Sequence, residues 1–283
     1  MHFVAAGHTD VGMLREANED AFLILARHNL FLVADGMGGH EAGDVASRMA
    51  VQALAEFFES TATEDTTWPF SFDPHLSFEE NRLVTGVKVA NRRIFEASMR
   101  HREMHGMGTT MVGALYAPRR HRLFVAHVGD SRAYRVRGDE ILQLTRDHSL
   151  ANEHQMMMPE MDEDDPNFPP RNVITRALGM GEDVTVDLTH DDPRPGDRYV
   201  LCSDGLSGLV PDAAIRLIVK EAGDDVERAA HDLVDAANAA GGEDNITVVV
   251  VLFQDGGSGA EHEAERAVSG GSAEGLPDPA DRR

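Results

Sequence analysis

The sequence predicts an α+β chain in which antiparallel strands are covered by amphipathic helices. Three observations carry that expectation. Residues 108–145 are a run of short apolar segments separated by turn residues, helical apolar spacing flanks that run on both sides, and several strand candidates end on aspartate. Hairpin-linked strands form antiparallel sheets, and a helix with one apolar face needs a sheet or another helix to cover.

In chain order, Ala21–Leu25 and Leu30–Ala34 read as strands joined by the polar turn Arg27-His28-Asn29. Asp35-Gly36-Met37-Gly38-Gly39-His40 reads as a flexible turn. From Ala42 the residues Val45, Met49, Ala53, Leu54, Phe57 and Phe58 recur at helical spacing. Ser60–Ser77 reads as a connecting loop anchored by Trp68, and Phe78–His101 as a second helix with Val84, Val87, Asn91, Ile94, Phe95 and Ser98 on one face. Strands are expected at Thr109–Tyr116, Arg122–Val128, Ala133–Arg137 and Ile141–Thr145.

Residues 147–172 are polar and rich in Met and Pro, which predicts a mobile flap; its Met156-Met157-Met158 cluster is expected to pack into the core. Its acidic stretch Glu160–Asp165 lacks the ligand alternation and central glycine of an EF-hand. A strand at Arg198–Cys202, helices at Ala213–Lys220 and Asp225–Ala240, and a last strand at Ile246–Phe253 complete the pattern. Beyond Gln254 large apolar residues are almost missing, so a catalytic domain of residues 1–254 and a disordered tail of residues 255–283 are expected.

Composition narrows the function. The 283 residues are 42% hydrophobic, enough for a substantial core, and the formal net charge is −23. Nucleic acid is not an expected partner, because its phosphates call for a basic patch. No signal peptide and no membrane insertion are expected, which points to a soluble, cytoplasmic protein, and a monomer is the expected state. The one cysteine, Cys202, sits in an apolar run and reads as a small buried hydrophobe.

The chemistry lies in the aspartates. Asp35, Asp130 and Asp204 each follow an apolar run, and Asp244 precedes one. A carboxylate taken out of water at a strand end is costly unless a cation or donors compensate it. Oxygen ligands of this kind suit Mg²⁺ or Mn²⁺, whereas no His/Cys spacing points to zinc. Upstream, Arg15-Glu16-Ala17-Asn18-Glu19-Asp20 offers a guanidinium able to hold a phosphate through paired hydrogen bonds. His127 reads as a core histidine bonded to a neighbour, and Thr109 and Thr110 as stabilisers of a strand start.

Seven strings occur in order: Arg15-x-x-Asn18-Glu19-Asp20, Val33-Ala34-Asp35-Gly36-Met37-Gly38-Gly39, Gly108-Thr109-Thr110, Val128-Gly129-Asp130-Ser131-Arg132-Ala133-Tyr134, Thr175-Arg176-Ala177-Leu178-Gly179, Ser203-Asp204-Gly205-Leu206 and Asp244-Asn245-Ile246-Thr247. Together they make residues 5–253 resemble the metal-dependent protein serine/threonine phosphatases of the type 2C family in its bacterial form. The resemblance implies a four-layer αββα sandwich of two antiparallel sheets flanked by helices, and two Mn²⁺ or Mg²⁺ ions. It implies that Asp35 bridges both ions, that the Gly36 carbonyl binds one, and that Asp204 and Asp244 bind the other. Glu19 and Asp20 would act through water or from behind the ligands. Asp130 would mark a third, weaker site, and Arg15 would hold the substrate phosphate.

The implied reaction is hydrolysis of phosphoserine or phosphothreonine by a metal-activated water, with no phosphoenzyme. His40 is the nearest candidate to protonate the leaving oxygen; a plain helix-start residue, or a water as the acid, remain alternatives. The implied partners are a phosphorylated protein substrate and a Ser/Thr kinase whose action is reversed. Two other functions stand beside this one: a non-catalytic module of the same fold, and an enzyme for small phosphate esters.

Overall fold

The computed structural model describes residues 1–38, 42–61, 69–161, 165, 168–170, 172–256 and 266–269. His40, Trp68, part of the acidic stretch and most of the expected tail lie outside the described residues.

Two antiparallel sheets carry the structure. The first has five strands in the order β1 (His2–Asp10), β11 (Ile246–Gln254), β10 (Arg198–Cys202), β7 (Arg132–Arg137), β8 (Glu140–Gln143). The second runs β12 (Arg266–Ser269), β2 (Asp20–Leu25), β3 (Leu30–Met37), β5 (Met111–Ala117), β6 (Arg122–Val128), β9 (Asp187–Asp191), with the short β4 (Gly108–Thr109) beside β3. Helices α1 (Ala42–Ser60) and α2 (Phe78–Arg100) cover the second sheet, while α5 (Asp212–Glu221) and α6 (Val226–Ala239) cover the first. Two shorter helices, α3 (Leu150–Met157) and α4 (Asp204–Ser207), lie in the connections.

Alternation along single strands assigns the layers. Leu30, Leu32 and Ala34 of β3 join Leu54, Phe58, Leu83 and Ile94 in the core under α1 and α2. Their neighbours Phe31 and Val33 point the other way, toward Val249, Val251 and Phe253 between the sheets. Val248, Val250 and Leu252 in turn face Ile215, Leu233 and Val234 of α5 and α6. Both faces of these strands are therefore buried, which is why they read in the sequence as continuous apolar runs. The four-layer αββα arrangement expected from the resemblance is the one observed.

The far end of the sandwich carries a polar staple between the sheets. Arg135 of β7 pairs with Asp191 of β9 at 2.9 Å, and the Tyr199 hydroxyl of β10 donates to the same carboxylate at 2.6 Å. Beside them, Arg137 holds the buried Asp197 at 2.6 Å. Attractive charge thus closes the end of the sandwich away from Asp35 and Asp204.

Several elements differ from their sequence reading. Strand β1 pairs over its whole length with β11, although its polar residues His2, His8, Thr9 and Asp10 hide the signal. β3 runs on through Asp35 and Gly36 to Met37 instead of turning at Asp35, because Gly36 and Met37 pair with Thr109 and Gly108. The flap region contains α3, capped by Ser149, whose side chain accepts from the Asn152 N–H. The methionines at its end are not core: Met157 is 81% exposed, since the helix buries only Ala151. Within the tail expected to be disordered, Arg266–Ser269 forms β12, which satisfies the backbone groups on the otherwise open edge of β2.

The inter-sheet core is anchored by Phe253, whose ring meets Tyr116, Tyr199 and Phe3 at centroid distances of 4.8, 5.5 and 6.1 Å. Phe253→Ala is expected to lower unfolding free energy by about 3–5 kcal/mol in urea titrations, by lost burial plus the cavity left behind. A loss below about 1 kcal/mol would show that the two sheets do not depend on this contact.

Candidate metal centre

The candidate site forms where strands from both sheets end together. Asp20 and Asp35 stand opposite each other on β2 and β3. Asp204 opens α4, with one residue between it and β10, and Asp244 stands two residues before β11 begins. Asp130 lies in the turn from β6 to β7. Neighbouring strands thus bring together five carboxylates that are far apart in sequence.

Tight packing of the main chain fixes them. The Asp35 carbonyl accepts from the Thr110 N–H at 2.8 Å and from the Thr109 hydroxyl at 2.8 Å, so both threonines secure a strand start, as their sequence position predicts. The Gly36 N–H donates to the Glu19 carbonyl at 3.1 Å. A Cβ on Gly36 would collide with the Gly43 carbonyl in the first turn of α1, so only glycine lets helix and strand approach this closely. The Glu19 carboxylate lies against Gly43 in that same turn.

Two polar side chains tie the loop ends together, and the sequence reading singled out neither. Asn245 accepts from the Glu19 N–H at 2.8 Å and donates to the carbonyls of Val11 and Ala17, both at 2.9 Å. Ser203 donates to Asp20 Oδ2 at 2.8 Å and accepts from the Thr247 N–H at 2.9 Å. Their signal in the sequence was only adjacency to Asp204 and Asp244.

Electrostatics make the assembly unstable by itself. Loss of hydration, followed by repulsion from Asp20, Asp204, Asp130 and Asp244, pushes the Asp35 carboxyl well above the usual range. Burial pushes Asp20 up to about 7, against hydrogen bonds from Thr247 and Ser203, and pushes Asp130 up to about 7 with help from Asp204. Asp204 is raised by burial and by Asp244. Asp20 Oδ1 and Asp130 Oδ1 are buried without any hydrogen-bond partner. Crowded carboxylates with buried, undonated oxygens fit hard divalent cations such as Mn²⁺ or Mg²⁺, which bind oxygen.

Arg15 is exposed and reaches across to Asp244, with Nη2 2.7 Å from Oδ2. It therefore borders the carboxylate cluster from the solvent side, where an incoming anion would arrive. A pocket of about 380 Å³ opens next to Met37, one residue beyond Gly36, and is lined also by Thr175, Arg176, Met180, Asp183 and Thr185.

A second cluster escaped the sequence reading. The ligand-type atoms of His127, His148 and Asp187 lie within 4.8 Å of one another. The His127 reading stands, for its Nε2 bonds the Arg146 carbonyl at 2.7 Å. His148 and Asp187 carried no common spacing signal. The Arg176 guanidinium already sits among them, with Nη1 2.6 Å from Asp187 and 3.0 Å from His148 Nε2. Positive charge is thus supplied there by the chain itself.

Comparison with known proteins was informative over most of the chain. The family model described as Protein phosphatase 2C matches residues 7–236. The serine/threonine phosphatase stp of Listeria innocua is 38% identical over 251 residues, covering 86% of this chain and 93% of that protein. The catalytic domain of the serine threonine protein phosphatase PstP, solved with two manganese ions, superposes with a TM-score of 0.74 at 34% identity, covering 89% of this chain and 99% of that one. Stp1 from Staphylococcus aureus gives a TM-score of 0.77 at 32% identity, covering 90% and 96%.

The raised carboxyls make a pH prediction. A carboxyl whose folded pKa lies above its unfolded value binds protons more tightly when folded, so its contribution to stability is lost as pH rises toward the folded pKa. For metal-free protein, the window set by Asp20 and Asp130 runs from their ordinary value of 3.8 to about 7. Melting temperature in chelator should fall between pH 5 and pH 7, each such carboxyl costing up to about 1.4 kcal/mol per pH unit. Saturating Mn²⁺ should flatten that slope. A metal-free protein whose stability rises over the same range would contradict the assignment of repulsion at this site.

Proposed function

The chain belongs to the protein phosphatase 2C family, and from that premise we propose that Asp35, the Gly36 carbonyl, Asp204 and Asp244 hold two Mn²⁺ or Mg²⁺ ions at the shared sheet end. The protein is a serine/threonine phosphoprotein phosphatase, a hydrolytic enzyme acting on phosphorylated proteins. The observation that carries the site assignment is the convergence of carboxylates raised by burial and mutual repulsion, two of them with buried oxygens lacking any donor.

When bound, the two cations supply the positive charge that acidifies the attacking water and offsets charge on the phosphoryl oxygens. The chain's own residues do the rest. Asp35, two residues before the end of β3, would hold both ions, and Asp204 and Asp244 would hold the second. Asp20 and Glu19 stand behind them, Asp20 held by Ser203 and Glu19 by Asn245 and α1. Asp130 would hold a third, weaker ion. Arg15, free to exchange its contact with Asp244 for a phosphate, positions the substrate and offsets charge as the phosphorus–oxygen bond breaks. The departing seryl or threonyl oxygen gains a proton as water adds to phosphorus, and His40, three positions beyond Met37 in the sequence, is the candidate source.

The non-catalytic alternative loses ground because Asp35, Asp204 and Asp244 are all present and share one site. Small phosphate esters and phosphoproteins differ in what they ask of the surroundings, and the pocket beside Met37 offers room for peptide residues next to the phosphate. The physiological setting we propose is the cytoplasm, with a bacterial Ser/Thr kinase as the opposing enzyme. No helix among the described residues is long and apolar enough to cross a membrane.

Mn²⁺-dependent phosphate release from a phosphothreonine peptide should drop at least about a hundredfold in Asp204→Asn. Equal activity in the variant would remove Asp204 from the metal site. Arg15→Ala should lose about ten- to a hundredfold in kcat/KM while leaving Mn²⁺ affinity near wild type, measured by initial rates and metal titration. Unchanged kcat/KM would free Arg15 from the phosphate role.

A further inference from the structure

We propose that His148 is a positioning residue that ties the Gly129–Asp130 turn to the wall of the pocket beside Met37, one ring nitrogen serving each side. The proposal rests on the hydrogen bonds around this buried side chain. On one side, the His148 N–H donates to the Gly129 carbonyl at 2.9 Å, and the Gly129 N–H donates to His148 Nδ1 at 3.0 Å. Both main-chain groups of the residue before Asp130 are thus satisfied by a single histidine. Gly129 needs such a clamp, because its φ of 106° is open to few other residues and a Cβ would press on Thr110.

On the other side, His148 Nε2 lies 3.3 Å from Asp187 Oδ2 and 3.0 Å from Arg176 Nη1. Arg176 is held to Asp187 at 2.6 Å and to the Thr185 carbonyl at 3.2 Å, and both Arg176 and Thr185 line the pocket. The His148 carbonyl accepts from the Thr175 N–H at 2.8 Å, a third link to the same wall. The ring is fixed in its plane by stacking on His127 at 4.6 Å and 14°.

The tautomer follows from these partners. Nδ1 accepts from Gly129, so Nε2 carries the proton and faces Asp187. A cation bound at Nε2 would need that proton moved to Nδ1, against the Gly129 N–H, and would compete with the Arg176 guanidinium for one place. The cluster therefore transmits position and does not take a metal. A peptide seated against Arg176 presses on the same side chain that holds Asp130, so substrate contact and the third metal position share one support.

The two ring nitrogens can be removed separately in the full-length protein. In His148→Asn the amide oxygen stands where Nδ1 stands, keeping the Gly129 clamp and losing the link through Asp187 to Arg176. In His148→Gln the amide reaches the ε position and the side-chain half of the clamp, the acceptor for the Gly129 N–H, is lost. His148→Asn should keep Mn²⁺ binding, followed as free Mn²⁺ by electron paramagnetic resonance, within about twofold, and raise KM for a phosphothreonine peptide about tenfold with kcat little changed. His148→Gln should weaken the weakest Mn²⁺ site about tenfold and expose the Gly129 amide to hydrogen exchange, with peptide KM near wild type. Both variants shifting all readouts together, or neither shifting any, would overturn the proposal.

The metal arm rests on the reading of Asp130, and Asp130→Asn separates the two. If Asp130→Asn leaves Mn²⁺ binding intact, the Asp130 assignment fails by itself. His148 is then judged on Gly129 exchange and peptide KM, where protection kept in His148→Asn and lost in His148→Gln supports the proposal and equal exchange refutes it.

Discussion

The mutual repulsion of carboxylates at one end of the sandwich is the constraint on which the rest of the structure depends. Asp20, Asp35, Asp130, Asp204 and Asp244 are forced together although burial and like charge raise the carboxyl pKa of the first four. Such an arrangement persists only because everything around it is over-determined. Three apolar layers hold the strands in register, Asn245 and Ser203 lock the loop ends, and Gly36 and Gly205 allow main chain to pass where any side chain would collide. Apolar burial in the body of the molecule thus sustains the strain at its mouth.

Much of this was legible in the sequence, and the parts that were not share a cause. β3, β5, β6 and β11 announce themselves because both faces are buried and most of their residues are apolar. β1 was silent, because it is an edge strand whose His8, Thr9 and Asp10 contact α6 and β11, and its partner β11 lies more than 230 residues away in the sequence. The metal-site aspartates were visible as a pattern at strand ends. Their supports were not: Asn245 beside Asp244, or Ser203 beside Asp204, look like ordinary turn residues until the fold brings Glu19 and Asp20 to them. Local spacing reports local structure, whereas His148, Arg176 and Asp187 meet only through the path of the chain between α3 and β9.

The flap region shows the same limit from the other side. Its composition reads as a loop, yet Ser149 caps α3 and pairs with Ile174, so polar residues build a defined support near the site. The methionines Met156, Met157 and Met158 project outward, where unbranched thioethers can adapt to varied surfaces. The aspartates thus sit near strand ends while a connecting segment forms their surroundings.

The staple of Arg135, Tyr199 and Asp191 gives the molecule a polarity along its length. One end of the sandwich is closed by attraction within the chain, whereas the other gathers carboxylates that repel one another. Cations bound among those carboxylates would therefore add their hold at the end where the chain supplies none, while the stapled end and the inter-sheet core owe nothing to an ion.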